Sequence, residues 1–338
     1  MSAPAGASTA AAGVVAVGCG RMGRGIAVAF AWAGHRIAVV DLRVREADAW
    51  QRLRHDAEAE VRASLVALAE LGAIEPALVE AVAARVAFVP AADAPAALAT
   101  ADIVFEGVTE HPDAKREAFA ALGRHCRADA ILASTTSSML VTELAALVER
   151  PERFLNAHWL NPAYVIPVVE ISTHPGTGPE VLARMRAELE AIGKLPVVCG
   201  PTPGYIVPRL QALVMNEAAR MVEEGAATAE EIDKATRFGL GLRFSAIGVV
   251  EFIDWGGAEI LHHASREMAA SVDPARYAAP AILDRLVGEG HYGVKTGQGF
   301  FDYRGRDLAA YRRDVLSRTL GALRHAGLWR PAAQDTIA

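Results

Sequence analysis

The chain has 338 residues, 52% of them apolar, and a formal net charge of -6. That apolar share can fill the cores of about two domains and excludes a disordered polypeptide, which needs fewer apolar residues and more charge per residue. The acidic balance supplies no general attraction to phosphate backbones, so a nucleic-acid partner is not expected.

Residues 1–12 are small and polar and read as a flexible tail, without the basic stretch of a signal peptide. The pattern that follows is strand (13–17), glycine turn, helix (25–32) and strand (36–40), the grammar of a parallel α/β sheet. Helical periodicity over 45–71 and again over 75–84, separated by Gly72, predicts a helical hairpin inserted into that sheet. Strand-like runs return at 86–89, 103–106, 131–134, 154–158, 165–171 and 195–199, with helices expected at 115–125 and 142–147. Beyond the Pro201-Thr202-Pro203-Gly204 turn the chain reads as helical, over 209–224, 229–238, 249–268 and 308–326. The expected division is therefore a tail (1–12), an α/β domain (13–200) and an all-α domain (201–338). No apolar run reaches the ~18–20 residues that span a bilayer, so no membrane partner is expected. Cys19, Cys126 and Cys199 show no CxxC spacing, which gives neither a disulfide framework nor a metal site and makes a reducing cytoplasm the expected setting.

Gly18-Cys19-Gly20-Arg21-Met22-Gly23 is a GxGxxG turn between a strand and a helix, with Asp41 about 20 residues on at the end of the second strand. In that context Gly18 permits the tight turn, Gly20 lets backbone approach a pyrophosphate and Gly23 lets the helix pack on the sheet. Backbone amides and the helix dipole of this segment then face the phosphates. Asp41 is expected to accept from an adenosine ribose and to repel a 2′-phosphate, which favours NAD over NADP; Arg43 and Arg45 lie just beyond it and bear on that preference.

A second constellation joins Ser134-Thr135-Thr136-Ser137-Ser138, His158-Trp159-Leu160-Asn161-Pro162 and Val168-Val169-Glu170-Ile171. Oxidising an alcohol removes a hydride to NAD and a proton to a base, and neutral imidazole suits the second task. His158 is the expected base and Glu170 its orienting partner.

At these residues the chain resembles the L-3-hydroxyacyl-CoA dehydrogenase family, over nearly its whole length from Gly13 to Tyr303. The likeness is also carried by Glu106-Gly107-Val108-Thr109-Glu110 with Lys115, Pro203-Gly204-Tyr205-Ile206-Val207, Glu223-Glu224-Gly225-Ala226-Ala227, and the run from Gly293 to Phe301. The resemblance implies a Rossmann-like NAD-binding domain followed by a helical dimerisation domain, hence a homodimer, and a role in fatty acid metabolism. It implies catalysis by the His158/Glu170 dyad with Ser137 and Asn161 against the substrate. It further implies cofactor contacts from Glu110, Lys115, Ser137, Asn161 and Lys295. The activity so implied is reversible NAD-dependent oxidation of the secondary hydroxyl of a 3-hydroxyacyl-CoA to the 3-keto product.

The chain departs from the family pattern at four places. Pro208 precedes Arg209 where Asn is usual, Thr135 stands in place of Asn, Pro167 in place of a frequent Lys, and the stretch 45–71 contains no lysine. Gly239-Leu240-Gly241-Leu242-Arg243 resembles the branch that includes L-gulonate 3-dehydrogenase, carnitine dehydrogenase and a pyridine-carboxylate dehydrogenase, whose substrates are free acids. An alternative substrate is therefore a free 3-hydroxy carboxylate clamped by the guanidinium fork of Arg243. An NAD-binding structural protein without turnover is a third reading, against which the intact dyad argues.

Overall fold

The computed structural model describes residues 13–329; the tail expected over 1–12 lies outside the described residues. Eight short strands, β1 (Val14–Val17), β2 (Ile37–Val40), β3 (Val86–Val89), β4 (Ile103–Glu106), β5 (Ile131–Ser134), β6 (Phe154–Trp159), β7 (Val168–Ser172) and β8 (Leu195–Cys199), form one sheet in the order β3-β2-β1-β4-β5-β6-β7-β8. Every neighbouring pair is parallel except β6 and β7, which are antiparallel. The exception follows from chain length: only residues 160–167 join β6 to β7, too few for the crossover of a dozen or more residues that a parallel return requires.

The central strands are buried on both faces, and side-chain alternation sorts them into two layers. On one face Val14, Ala16, Ile103, Phe105 and Trp159 pack against Ile26 and Phe30 of α1 (Arg21–Trp32). On the other, Val15, Val17, Val104, Leu132 and Phe154 pack against Leu98, Phe119 and Leu144. The inserted hairpin is present as α2 (Ala47–Glu70) and α3 (Val79–Ala83). Its Val61, Leu65 and Leu68 close on Val79, Val82 and Val28 of α1, each large side chain contributing about 1.5–3 kcal/mol by burial. Helices α4 (Ala94–Leu98), α5 (Pro112–His125), α6 (Val141–Ala145) and α7 (Pro179–Ala191) complete the first unit; α4 and α7 are absent from the sequence expectation. α7 places Val181, Met185 and Leu189 in the core.

The chain divides into compact units at Met215/Asn216, within α8 (Val207–Glu223). The turn at 203–207 stays with the first unit because its backbone amides and Tyr205 are bonded to sheet residues there. The second unit is helical: α9 (Ala229–Ala235), α10 (Leu242–Ala246), α11 (Val249–Gly256), α12 (Ala258–Ser271), α13 (Pro274–Tyr277), α14 (Ala281–Gly288) and α15 (Leu308–His325). The expected helix over 229–238 gives way to a π-helical turn at Thr236–Gly241. The single helix expected over 249–268 is two, broken at Gly257, whose φ of +109° takes the backbone out of the helical region.

Candidate active site

Two of the three glycines of the turn after β1 are required by the packing of the turn itself. A Cβ on Gly18 would lie 2.7 Å from the carbonyl oxygen of Gly107, and one on Gly23 would lie 2.0 Å from that of Gly18. Gly20 differs, since a Cβ there would meet nothing within 4 Å. The open space over Gly20, at the N-terminus of α1, is where a pyrophosphate would approach the backbone, so these residues fit a dinucleotide. Cys19 turns inward, and burial, helped by Asp41, pushes its thiol up to about 12; its backbone alone is left to face a ligand. Arg21 is exposed at the start of α1 and Met22 is half-buried. Asp41, directly after β2, is buried, accepts from the Arg43 amide at 3.1 Å and is ion-paired with Arg45.

The antiparallel pairing of β6 and β7 sets His158 directly opposite Glu170, so that both side chains lie on the same face of the sheet. Glu170 is fully buried and His158 is 6% exposed. His158 Nδ1 lies 2.9 Å from Glu170 Oε2. A carboxylate only accepts, so Nδ1 carries the proton and Nε2 is left as the acceptor. Glu170 Oε1 accepts from the amides of Ile206 at 2.9 Å and Val207 at 2.7 Å. Above His158 lies the ring of Tyr205, stacked at 4.7 Å between centroids and tilted by 14°. Tyr205 has a φ of +47°, a conformation that costs a non-glycine residue roughly 1–3 kcal/mol.

Ser137 follows β5 on a loop held by Glu110. That carboxylate accepts from the Ser137 amide and hydroxyl, from the Ser138 hydroxyl at 2.8 Å and from the Thr136 hydroxyl at 3.0 Å. Burial opposes the ionisation of Glu110, but these donors outweigh it and hold the carboxyl below the ordinary glutamate value. Asn161 is exposed just beyond β6 and lines a cavity of about 370 Å³ bordered by Arg21, Arg24 and Tyr164 and by Val61 and Ser64 of the hairpin. Lys194 pins the loop that carries Asn161, donating to the carbonyls of Ala163 at 2.6 Å and Ile166 at 2.9 Å. Its burial lowers the ammonium pKa from the ordinary lysine value.

Lys115, expected at the cofactor, lies in the interior of the first unit. Its side chain is buried, with Nζ 2.9 and 2.8 Å from the two oxygens of Glu106, also buried, and 3.3 Å from Ser134 Oγ. Glu106 in turn accepts from the Val108 amide at 2.7 Å, so the pair anchors the start of the loop that leads to Glu110.

Lys295 and Arg243 belong to the second unit. Lys295 is ion-paired with Glu259 and lies 5.2 Å from the Tyr292 ring centroid. The glycines around it serve packing: Asp254, buried, accepts from the amides of Phe300 at 2.9 Å and Phe301 at 2.8 Å, and a Cβ on Gly293 or Gly299 would lie 2.2 Å from an Asp254 atom. Arg243 is exposed, has no carboxylate partner among the described residues and stacks 4.8 Å from the Phe252 ring. It lines a second cavity, of about 290 Å³, with Phe238, Ile247 and Trp255.

Within the first unit, then, the structure brings His158 and Glu170 together, ties Ser137 to Glu110, and pairs Lys115 with Glu106. Sequence reasoning missed Tyr205, Lys194 and the anchoring role of Glu106. The scarcity of lysine, four in the chain, is a signal that could have found Lys194.

Comparison with known proteins gives two family matches. Residues 13–202 match the profile described as 3-hydroxyacyl-CoA dehydrogenase, NAD binding domain, and residues 204–303 match 3-hydroxyacyl-CoA dehydrogenase, C-terminal domain. The chain is 31% identical to human mitochondrial hydroxyacyl-coenzyme A dehydrogenase, over 86% of this chain and 91% of that one. It is 30% identical to 5-formyl-3-hydroxy-2-methylpyridine 4-carboxylate 5-dehydrogenase of Mesorhizobium japonicum, over 90% and 98% of the two chains. Among solved structures it is similar to a 3-hydroxyacyl-CoA dehydrogenase of Archaeoglobus fulgidus, with a TM-score of 0.72 and 29% identity over 94% and 99% of the chains.

Proposed function

Since this chain belongs to the 3-hydroxyacyl-CoA dehydrogenase family and is an NAD-dependent dehydrogenase acting on CH–OH, we propose that His158 is its general base and that its substrate is a 3-hydroxyacyl thioester. The observation that carries the reading is the 2.9 Å contact between His158 Nδ1 and Glu170 Oε2, which leaves Nε2 free to take the hydroxyl proton. Bound NAD supplies the hydride acceptor. Glu170 holds the imidazole in the useful tautomer and stabilises it once protonated; in the reverse direction protonated His158 returns the proton. Ser137 and Asn161 align the hydroxyl. The segment from Gly18 to Gly23, with Asp41, receives the dinucleotide, bordered by Glu110, Ser137 and Asn161, and Lys295 is assigned to the cofactor on resemblance.

His158→Gln tests this. NADH binding, followed by fluorescence, is expected to persist while reduction of acetoacetyl-CoA falls by about 10²–10⁴-fold. A variant with near-normal turnover would falsify the assignment.

A second substrate reading, a free 3-hydroxy carboxylate, is favoured by the cavity beside Asn161. Its hairpin wall carries no lysine, and two arginines border it; Arg24 is ion-paired with Glu60 of the same wall at 2.6 Å, while its buried Nε has no hydrogen-bond partner among the described residues. The pyridine-carboxylate enzyme among the relatives acts on a free acid by its name. Parallel assays with acetoacetyl-CoA and with free 3-keto acids, in the wild type and in Arg243→Ala, separate the two.

We also propose a homodimer, supported by α8, which leaves Leu213 and Met215 each 65% exposed; light scattering on the purified protein checks it. No described helix is long and apolar enough to cross a membrane. A cytoplasmic place in fatty acid metabolism is the setting proposed with this activity.

A further inference from the structure

We propose that Tyr205 is a positioning residue for the reaction, whose ring fixes the His158 imidazole and whose hydroxyl fixes the loop carrying Ser137. The proposal rests on the reading of His158 as the base. The face of the sheet that bears His158 and Glu170 is covered at this point by the turn at 203–207. Tyr205 is buried there, its ring 4.7 Å from that of His158 and nearly parallel to it. A stacked ring blocks rotation of the imidazole out of the plane that Glu170 selects. The phenol oxygen donates to the Thr136 carbonyl at 2.8 Å and accepts from Asn156 Nδ2 at 3.0 Å; that amide also donates to the Met139 carbonyl at 3.1 Å. These bonds clasp both ends of the segment that holds Ser137. The next two backbone amides, of Ile206 and Val207, are the ones that hold Glu170. One turn therefore orients the base, its carboxylate partner and the hydroxyl-bearing loop together. The left-handed φ of +47° is held by these anchors, since a tyrosine does not adopt it unassisted.

Two variants separate the ring from the hydroxyl, with reduction of acetoacetyl-CoA or free acetoacetate by NADH as the assay. Tyr205→Phe keeps the stack and loses the clasp, so KM is expected to rise about fivefold with kcat little changed. Tyr205→Leu loses both, and kcat is expected to fall by about 10²-fold as the imidazole drifts from its productive geometry, while the Kd for NADH stays at the wild-type value. The Phe variant thus rescues the kcat defect of the Leu variant, which a merely structural side chain would not do. Wild-type kcat in Tyr205→Leu, or wild-type KM in Tyr205→Phe, overturns the proposal. If His158→Gln is inactive and both tyrosine variants are normal, only this proposal fails; if His158→Gln is active, the reading beneath it fails.

Discussion

The contact between Glu170 and His158 makes a sharp prediction for Glu170→Gln, a change of almost no volume. Both carboxylate oxygens are occupied: Oε2 by His158 Nδ1 and Oε1 by two backbone amides. A glutamine must turn its single carbonyl one way or the other. Facing His158, it would set its NH₂ against the amides of Ile206 and Val207, stranding two buried donors at about 1–3 kcal/mol each. Facing the amides, it loses nothing there and presents NH₂ to Nδ1, which must then accept. The second orientation wins by several kcal/mol on those figures, and it moves the imidazole proton to Nε2, where the base must be free. The expected loss in kcat for such a tautomer trap is on the order of 10⁴, about 5.4 kcal/mol of barrier. The assay is steady-state reduction of NAD with a 3-hydroxy substrate, the direction in which Nε2 must accept a proton, beside NADH titration and a thermal melt, both of which should match the wild type. A Glu170→Gln enzyme within about tenfold of wild-type kcat would refute the argument.

The other expectations concern parts of the fold that serve the site. Gly20→Ala should melt like the wild type yet weaken NADH binding by about tenfold, because only the ligand side of that glycine is open; Gly23→Ala should lose about 1–3 kcal/mol of stability from its clash with the Gly18 carbonyl. The opposite pattern in melts and titrations would show that the turn is read wrongly. Lys115→Met leaves Glu106 buried without its partner and should cost about 3–5 kcal/mol in urea unfolding, most of it recovered in Glu106→Gln/Lys115→Met. A single variant as stable as the wild type would contradict that account. Asp254→Ala strands the amides of Phe300 and Phe301, at about 1–3 kcal/mol each, and should speed hydrogen exchange at those two positions; unchanged protection there would exclude the role given to Asp254.

Much of the first unit was legible because its signals are local. The buried β-branched runs, the glycines of the turn and the acid after β2 all report neighbours close in sequence, and the hairpin announced itself by period and by Gly72. The antiparallel return was also within reach, since a link of residues 160–167 is too short for a crossover. What escaped depends on partners far apart in the chain. Lys115 looks like a surface lysine of an amphipathic helix until Glu106 and Ser134 are placed beneath it. Tyr205 follows a Pro-Gly pair that reads as a simple domain break, and nothing local says that its ring would cover His158 or that the compact unit would extend to Met215. The break at Gly257 was hidden by apolar residues that continue in helical register on both sides.

The one antiparallel pairing in the sheet carries a consequence for how such an enzyme changes. His158 and Glu170 face each other through the strand ladder, so their mutual distance is set by backbone hydrogen bonds and not by any connecting segment. Insertions in the loops after β5 and β6, or a new surface on the hairpin, can alter what is admitted without moving the imidazole against its carboxylate. Proton handling and molecular selection are thereby inherited separately, and a lineage can exchange one carbinol for another while its acid–base pair stands still.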